Sequence, residues 1–119
     1  MTLHFYGICA AGALTVAVAS SSYSEAQEAI MIVTHEVEDF DRWKDVFDGA
    51  IATRRSVGEV SAYILHNPVD HRVVTVVFEW DTMERARAFA EDPVLANGMA
   101  AAGVISEPNF TFIQAERSY

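Results

Sequence analysis

The chain has 119 residues, with eight Lys and Arg against seventeen Asp and Glu and a formal net charge of -9. Lys44 is its one lysine and Arg54-Arg55 its one adjacent basic pair, so neither nucleic acid nor an anionic membrane surface is expected as a partner. Its length suits a single domain with one modest core, and the lone cysteine, Cys9, excludes an internal disulfide, a cysteine-based metal site and a thiol relay.

Residues 1–27 read as a segment outside the fold. Ile8 to Ala19 form an apolar run of small residues, followed by Ser20-Ser21-Ser22 and by Ser24-Glu25-Ala26, a small-x-small pattern like a secretory cleavage site. The run is short for a bilayer span, which favours a signal peptide and a periplasmic or secreted domain over residues 28–119. The segment lacks the usual basic n-region, and Met31 offers an alternative start that would leave the protein in the cytoplasm.

The first strand is expected from Ala29 to Val37. Both of its alternate sets, Ile30-Ile32-Thr34-Glu36 and Met31-Val33-His35-Val37, begin apolar, which predicts a strand covered on both faces for most of its length. With Asp39 or Asp41 as N-cap, a helix follows, and Phe40, Trp43, Phe47, Ala50, Ile51 and Arg54 recur along it at three- and four-residue steps. Arg54 extends this apolar line near the helix C-terminus, where its charge suits the dipole and its stem can cover apolar surface; Gly58 then ends the helix.

Glu59 to His66 and Arg72 to Trp80 read as a hairpin around the turn Asn67-Pro68-Val69-Asp70. Asp81 is the expected cap of the next helix, with Glu84 three residues on, and Asp92-Pro93 restarts a helix that runs to Gly103. Asn109 to Gln114 is the last strand, with Phe110 and Phe112 on one face and Thr111 and Ile113 on the other.

This order is that of an α+β, ferredoxin-like βαββαβ fold with a four-stranded antiparallel sheet. Right-handed crossovers put the first and third strands at the centre, with helices on one face. The other face keeps more apolar surface than a monomer usually exposes, so a homodimer packed sheet to sheet is expected.

Three pieces carry a family resemblance: V-x-D-F-x-x-W-K-x-x-F at Val37 to Phe47, F-E-W at Phe78 to Trp80, and E-D-P-V-L at Glu91 to Leu95. Over nearly all of Met31 to Gln114 the chain resembles the dimeric α/β-barrel proteins, which include antibiotic biosynthesis monooxygenases and small polyketide cyclases. The resemblance implies a dimer closed into an α/β barrel and a cavity between sheet and helices that often holds a flat aromatic substrate. The family's activities include cofactor-free oxygenation, cyclisation and haem degradation.

In this topology His35, His66 and His71 gather at one end of the sheet. His35 is the candidate catalytic base, able to take a phenolic or carbon-bound proton. Some cyclases of the family use a histidine on the first strand, which His35 resembles in position. His66 and His71 flank a polar turn and stand as candidate substrate contacts beside Trp43, Tyr63 and Trp80, the tryptophans as core or cavity wall and Tyr63 through its hydroxyl. Glu79, on a strand expected at the centre of the sheet, is either at the sheet end, paired with an arginine such as Arg72 or Arg54, or functional, and the strand end is the favoured explanation.

No G-x-G-x-x-G or other phosphate loop offers a seat for a nucleotide cofactor. Haem-degrading relatives hold iron through a helical histidine, which none of the predicted helices has. No cofactor and no metal is therefore expected, the histidine spacing giving no ligand geometry. Two functional readings stay open: a cofactor-independent monooxygenase or cyclase on a small aromatic or polyketide-type substrate, with His35 handling the proton, and a non-enzymatic, exported, ligand-binding or stress-associated dimeric module.

Overall fold

The computed structural model describes residues 29–116. The leader segment and Cys9 lie outside the described residues. Eight elements follow in order: β1 (Ala29–Glu36), α1 (Phe40–Gly49), α2 (Ile51–Ser56), β2 (Glu59–His66), β3 (Val73–Trp80), α3 (Met83–Glu91), α4 (Pro93–Ala101) and β4 (Asn109–Gln114). The sheet order is β2-β3-β1-β4, with every neighbouring pair antiparallel. This is the ferredoxin-like α+β arrangement, with β1 and β3 at the centre.

Outside a bulge in β2, alternation divides the sheet into two faces. Ala29, Met31, Val33 and His35 of β1 and Val74, Val76, Phe78 and Trp80 of β3 are buried beneath the helices and form the middle of the core. Ile30, Ile32, Thr34 and Glu36 are only half-buried. The expectation of a first strand covered on both faces is thus corrected for the single chain, because its helices pack on one face only. The open face also carries Thr75, Val77, Tyr63, Leu65 and Ile113, and across it the Thr34 and Thr75 hydroxyls lie 2.9 Å apart.

The single helix expected after β1 is two. Asp39 caps α1 by accepting from the Arg42 amide at 3.2 Å. At Ala50 the backbone leaves helical geometry (φ -97°, ψ 8°), and α2 starts at Ile51. Trp43 and Arg54 remain on the inner side, whereas Ile51 is 41% exposed.

Gly58 makes the turn into β2 at φ +122°, and a Cβ there would lie 2.6 Å from Asp81 Oδ1. β2 then bulges: Glu59 pairs with Trp80 but Ser61 pairs with Glu79, so two residues of β2 oppose one step of β3. The bulge turns Glu59 to the helix-covered face and leaves Val60 57% exposed.

In the hairpin turn, Asn67 Oδ1 accepts from the amides of Val69 and Asp70. The cap of α3 is Thr82, not Asp81. Thr82 has extended backbone and its Oγ1 accepts from the Arg85 amide at 3.1 Å, which makes Arg85, not Glu84, the third helical residue. Asp81 instead accepts from the Arg85 guanidinium at 2.6 Å. Asp92 caps α4 as its sequence signals, with Pro93 in the first turn. No helix among the described residues is long and apolar enough to cross a membrane.

Candidate functional site

Between the helix-facing side of the sheet and the helices lies a cavity of about 320 Å³. Val33, Val76, Phe78 and Phe110 supply its floor, and Trp43, Phe47, Leu95 and Met99 supply much of its wall. The polar residues of its lining, besides Trp43, are His35, Thr53, Arg54 and Asp92. It is an apolar slot with few polar groups, the usual character of a small-molecule site.

His35 reaches this wall because it shares the inward parity of Met31 and Val33. It is 6% exposed, and its Nδ1 is buried without a hydrogen-bond partner among the described residues. Its ring meets Trp43 edge-on, with centroids 5.6 Å apart. Burial holds the imidazole below its ordinary pKa of 6.5, and its own backbone acts more weakly in the opposite sense. The ring is therefore kept neutral near pH 7, in the form that accepts a proton.

Arg54 enters from the last turn of α2. Its Nε donates to Glu59 Oε1 at 2.6 Å, its Nη1 donates to the Phe47 carbonyl, and the guanidinium lies 3.7 Å from the Phe47 ring centroid. The Arg54 and Glu59 side chains are 6% and 1% exposed, so a charge and its counter-charge are buried together. Those hydrogen bonds engage Nε and Nη1 and leave Nη2 without one among the described residues.

Of the residues singled out in the sequence, His35 and Trp43 meet at the cavity. His66 and His71 do not reach it. Their rings lie 4.2 Å apart, tilted by 41°, on the surface, and Phe40 stands between this pair and Trp43, 5.1 Å from His66 and 6.0 Å from Trp43. His35 and His66 both face Val74 in register, so the three histidines do share one end of the sheet. Among the described residues no cluster of three or more His, Cys, Asp or Glu is arranged to hold a metal.

Tyr63 is on the open face, 64% exposed, away from the cavity. Trp80 lies deep in the core against Phe89, at 4.9 Å, and is not part of the cavity wall. Glu79 accepts from the Ser61 hydroxyl at 2.6 Å; Arg54 pairs with Glu59, and Arg72 with Glu36 and Asp70, so neither of the two arginines named for Glu79 is its partner.

Sequence reasoning missed Arg54 and Glu59 as site residues, although an arginine on the apolar line of a helix was the available signal. Thr53 and Asp92 carried no such mark.

No family model matches the sequence, and no curated protein sequence matches it. Solved structures do. SnoaB, a cofactor-independent oxygenase from Streptomyces nogalater, superposes with a TM-score of 0.62 at 15% identity, covering 78% of this chain and 97% of its own. The monooxygenase ActVA-Orf6 of Streptomyces coelicolor, solved in complex with Nanaomycin D, gives 0.55 at 22% identity over 76% and 89%. A dimeric ferredoxin-like protein from an uncultured marine organism gives 0.52 at 9% identity over 78% and 91%. At such identities the likeness is one of fold: the chain has the fold of the antibiotic biosynthesis monooxygenase-like, ferredoxin-like proteins.

Proposed function

We propose that this protein is a cofactor-independent monooxygenase- or cyclase-like enzyme acting on a small planar aromatic or polyketide-type substrate. The observation that carries the reading is His35: a buried imidazole, held neutral, whose Nδ1 has no hydrogen-bond partner among the described residues and which lines an apolar cavity. The fold shared with SnoaB and ActVA-Orf6 supports the same general kind.

In this reading a flat substrate lies among Trp43, Phe47 and Phe78, and His35 removes an acidic C–H proton. The resulting enolate gives its electrons to O₂, and the peroxide formed takes the proton back from His35. Loss of water then leaves a carbonyl where a CH₂ stood, one oxygen atom of O₂ in the product and the other in water. If the substrate carries its own electrophilic carbonyl, the same enolate closes a ring instead. The apolar wall keeps bulk water from the carbanion.

The protein is proposed to work as a homodimer. Tyr63, Leu65 and Ile113 are each at least 45% exposed on the open sheet face, beside half-buried Ile30 and Ile32. A second copy placed face to face would cover them, in keeping with the dimeric neighbour.

Oxygen uptake on a panel of planar phenols and anthrone-like compounds tests the enzyme reading. The wild-type protein should consume O₂, and His35→Ala should lose about two orders of magnitude or more in rate, the usual worth of a positioned base. Full turnover by His35→Ala would remove His35 from this role. Ligand binding without turnover would favour the binding module.

A further inference from the structure

Two of the polar residues that line the cavity, His35 and Arg54, are linked by a run of rings. His35 meets the Trp43 ring edge-on, Trp43 stacks on Phe47 with centroids 5.0 Å apart, and the Arg54 guanidinium lies 3.7 Å from the Phe47 centroid. The reading above uses His35 and leaves Arg54 without a task.

A guanidinium offers five N–H donors in a fixed plane. Glu59 and the Phe47 carbonyl hold Nε and Nη1, which sets the plane and leaves Nη2 without a protein acceptor among the described residues. Glu59 is 1% exposed and contributes a full counter-charge at 2.6 Å. The pair is therefore a fixed donor with little net charge at the wall of an apolar slot. A second buried carboxylate would be repelled by Glu59, whereas a neutral carbonyl oxygen would gain a charge-assisted hydrogen bond at no such cost.

We propose that Arg54 is the specificity-determining residue of the cavity, which selects elongated planar aromatic ligands carrying a neutral carbonyl oxygen that faces Arg54 and disfavours carboxylates. Glu59 is the positioning residue that fixes the guanidinium plane and cancels its charge. The inference rests on the cavity being the ligand site but requires no turnover.

The test is equilibrium binding to the full-length chain of a matched pair, acetylnaphthalene and ethylnaphthalene, which differ by C=O against CH₂. Wild-type protein should prefer the ketone by about tenfold, the scale of one hydrogen bond to a charged group. Arg54→Lys should pair with Glu59, lose the reach to the ligand and bring the ratio near one. His35→Ala should keep the ratio. Glu59→Gln retains an acceptor for Nε and removes the counter-charge, so it should bind naphthoate at least about tenfold more tightly than the wild type does. A structural role for Arg54 would weaken both naphthalenes alike and leave their ratio intact.

Equal affinity of wild-type protein for the pair, binding of neither, an unchanged ratio in Arg54→Lys, or no gain for naphthoate in Glu59→Gln would each overturn the proposal. Should Arg54→Lys fail to fold, the wild-type ratio and Glu59→Gln still decide it. Lack of O₂ uptake would count against the enzyme reading and leave this one standing.

Discussion

Arg54 Nε and Glu59 Oε1 approach to 2.6 Å at a place where neither side chain is more than 6% exposed. Removing one partner leaves the other charge stranded, so Arg54→Met should cost about 3–5 kcal/mol in urea unfolding. Changing both, Arg54→Met with Glu59→Leu, should recover most of that loss and could exceed wild-type stability, because an apolar pair needs no desolvation of ions. A double variant no more stable than Arg54→Met would show that the α2–β2 connection depends on the ion pair itself.

His35 gives stability a defined dependence on pH. Its folded-state pKa is lowered by burial from 6.5, so between the two values the unfolded chain binds more protons than the folded one. Stability should be full above pH 6.5 and fall as pH drops through the folded-state pKa. His35→Gln should remove this component, read as the difference between wild-type and variant unfolding curves at pH 7.5 and at progressively lower values (the pH settings being about one unit either side of an ordinary histidine). Parallel curves would mean that His35 is protonated as easily folded as unfolded.

Gly58 at φ +122° admits no other residue without strain, and an added Cβ would meet Asp81 Oδ1 at 2.6 Å. Gly58→Ala should destabilise the fold by about 1–3 kcal/mol, from the backbone conformation alone. Gly49, where an added Cβ meets nothing within 4 Å, is the control, and Gly49→Ala in α1 should be neutral or stabilising. Thermal unfolding of the two variants checks both.

The open sheet face predicts the assembly. Leu65→Lys places a charge on that face, where Leu65 is 51% exposed in the single chain. Sedimentation should show a dimer for the wild type and a monomer for the variant at equal concentration, with the helical content unchanged. A wild-type monomer at high concentration would refute face-to-face pairing.

Much of the fold was legible because its signals are local and periodic. The extents of β1 and β3, the Asn67 turn, the Asp92-Pro93 restart and the positions of both crossovers follow from residues within a few places of each other. The cap of α3 was misplaced by one residue because Asp81 and Thr82 are both competent caps. The choice fell to tertiary bonding: Asp81 is taken up by the Arg85 guanidinium, and its amide donates to the Gly58 carbonyl. Site residues were legible where they sat within regular strand or helix, as His35 and Trp43 did. Tyr63 and Trp80 were read by residue type, although the face of the sheet and depth in the core decide what each touches. Glu59 was missed because its inward turn depends on a bulge, which has no sharp sequence mark.

That bulge has an evolutionary side. By simple alternation Glu59 would share the face of Ser61, Tyr63 and Leu65, and the extra residue in β2 is what reverses its side. The charge balance of the cavity is thus written in strand parity and could be toggled by the loss or gain of one codon near Val60. A lineage in which that codon is deleted would keep Arg54 and swing Glu59 outward, leaving an uncompensated cation facing the ligand space. Among relatives of this fold, insertions and deletions at the start of the second strand should therefore track changes between neutral and acidic ligands more closely than substitutions in the cavity wall do.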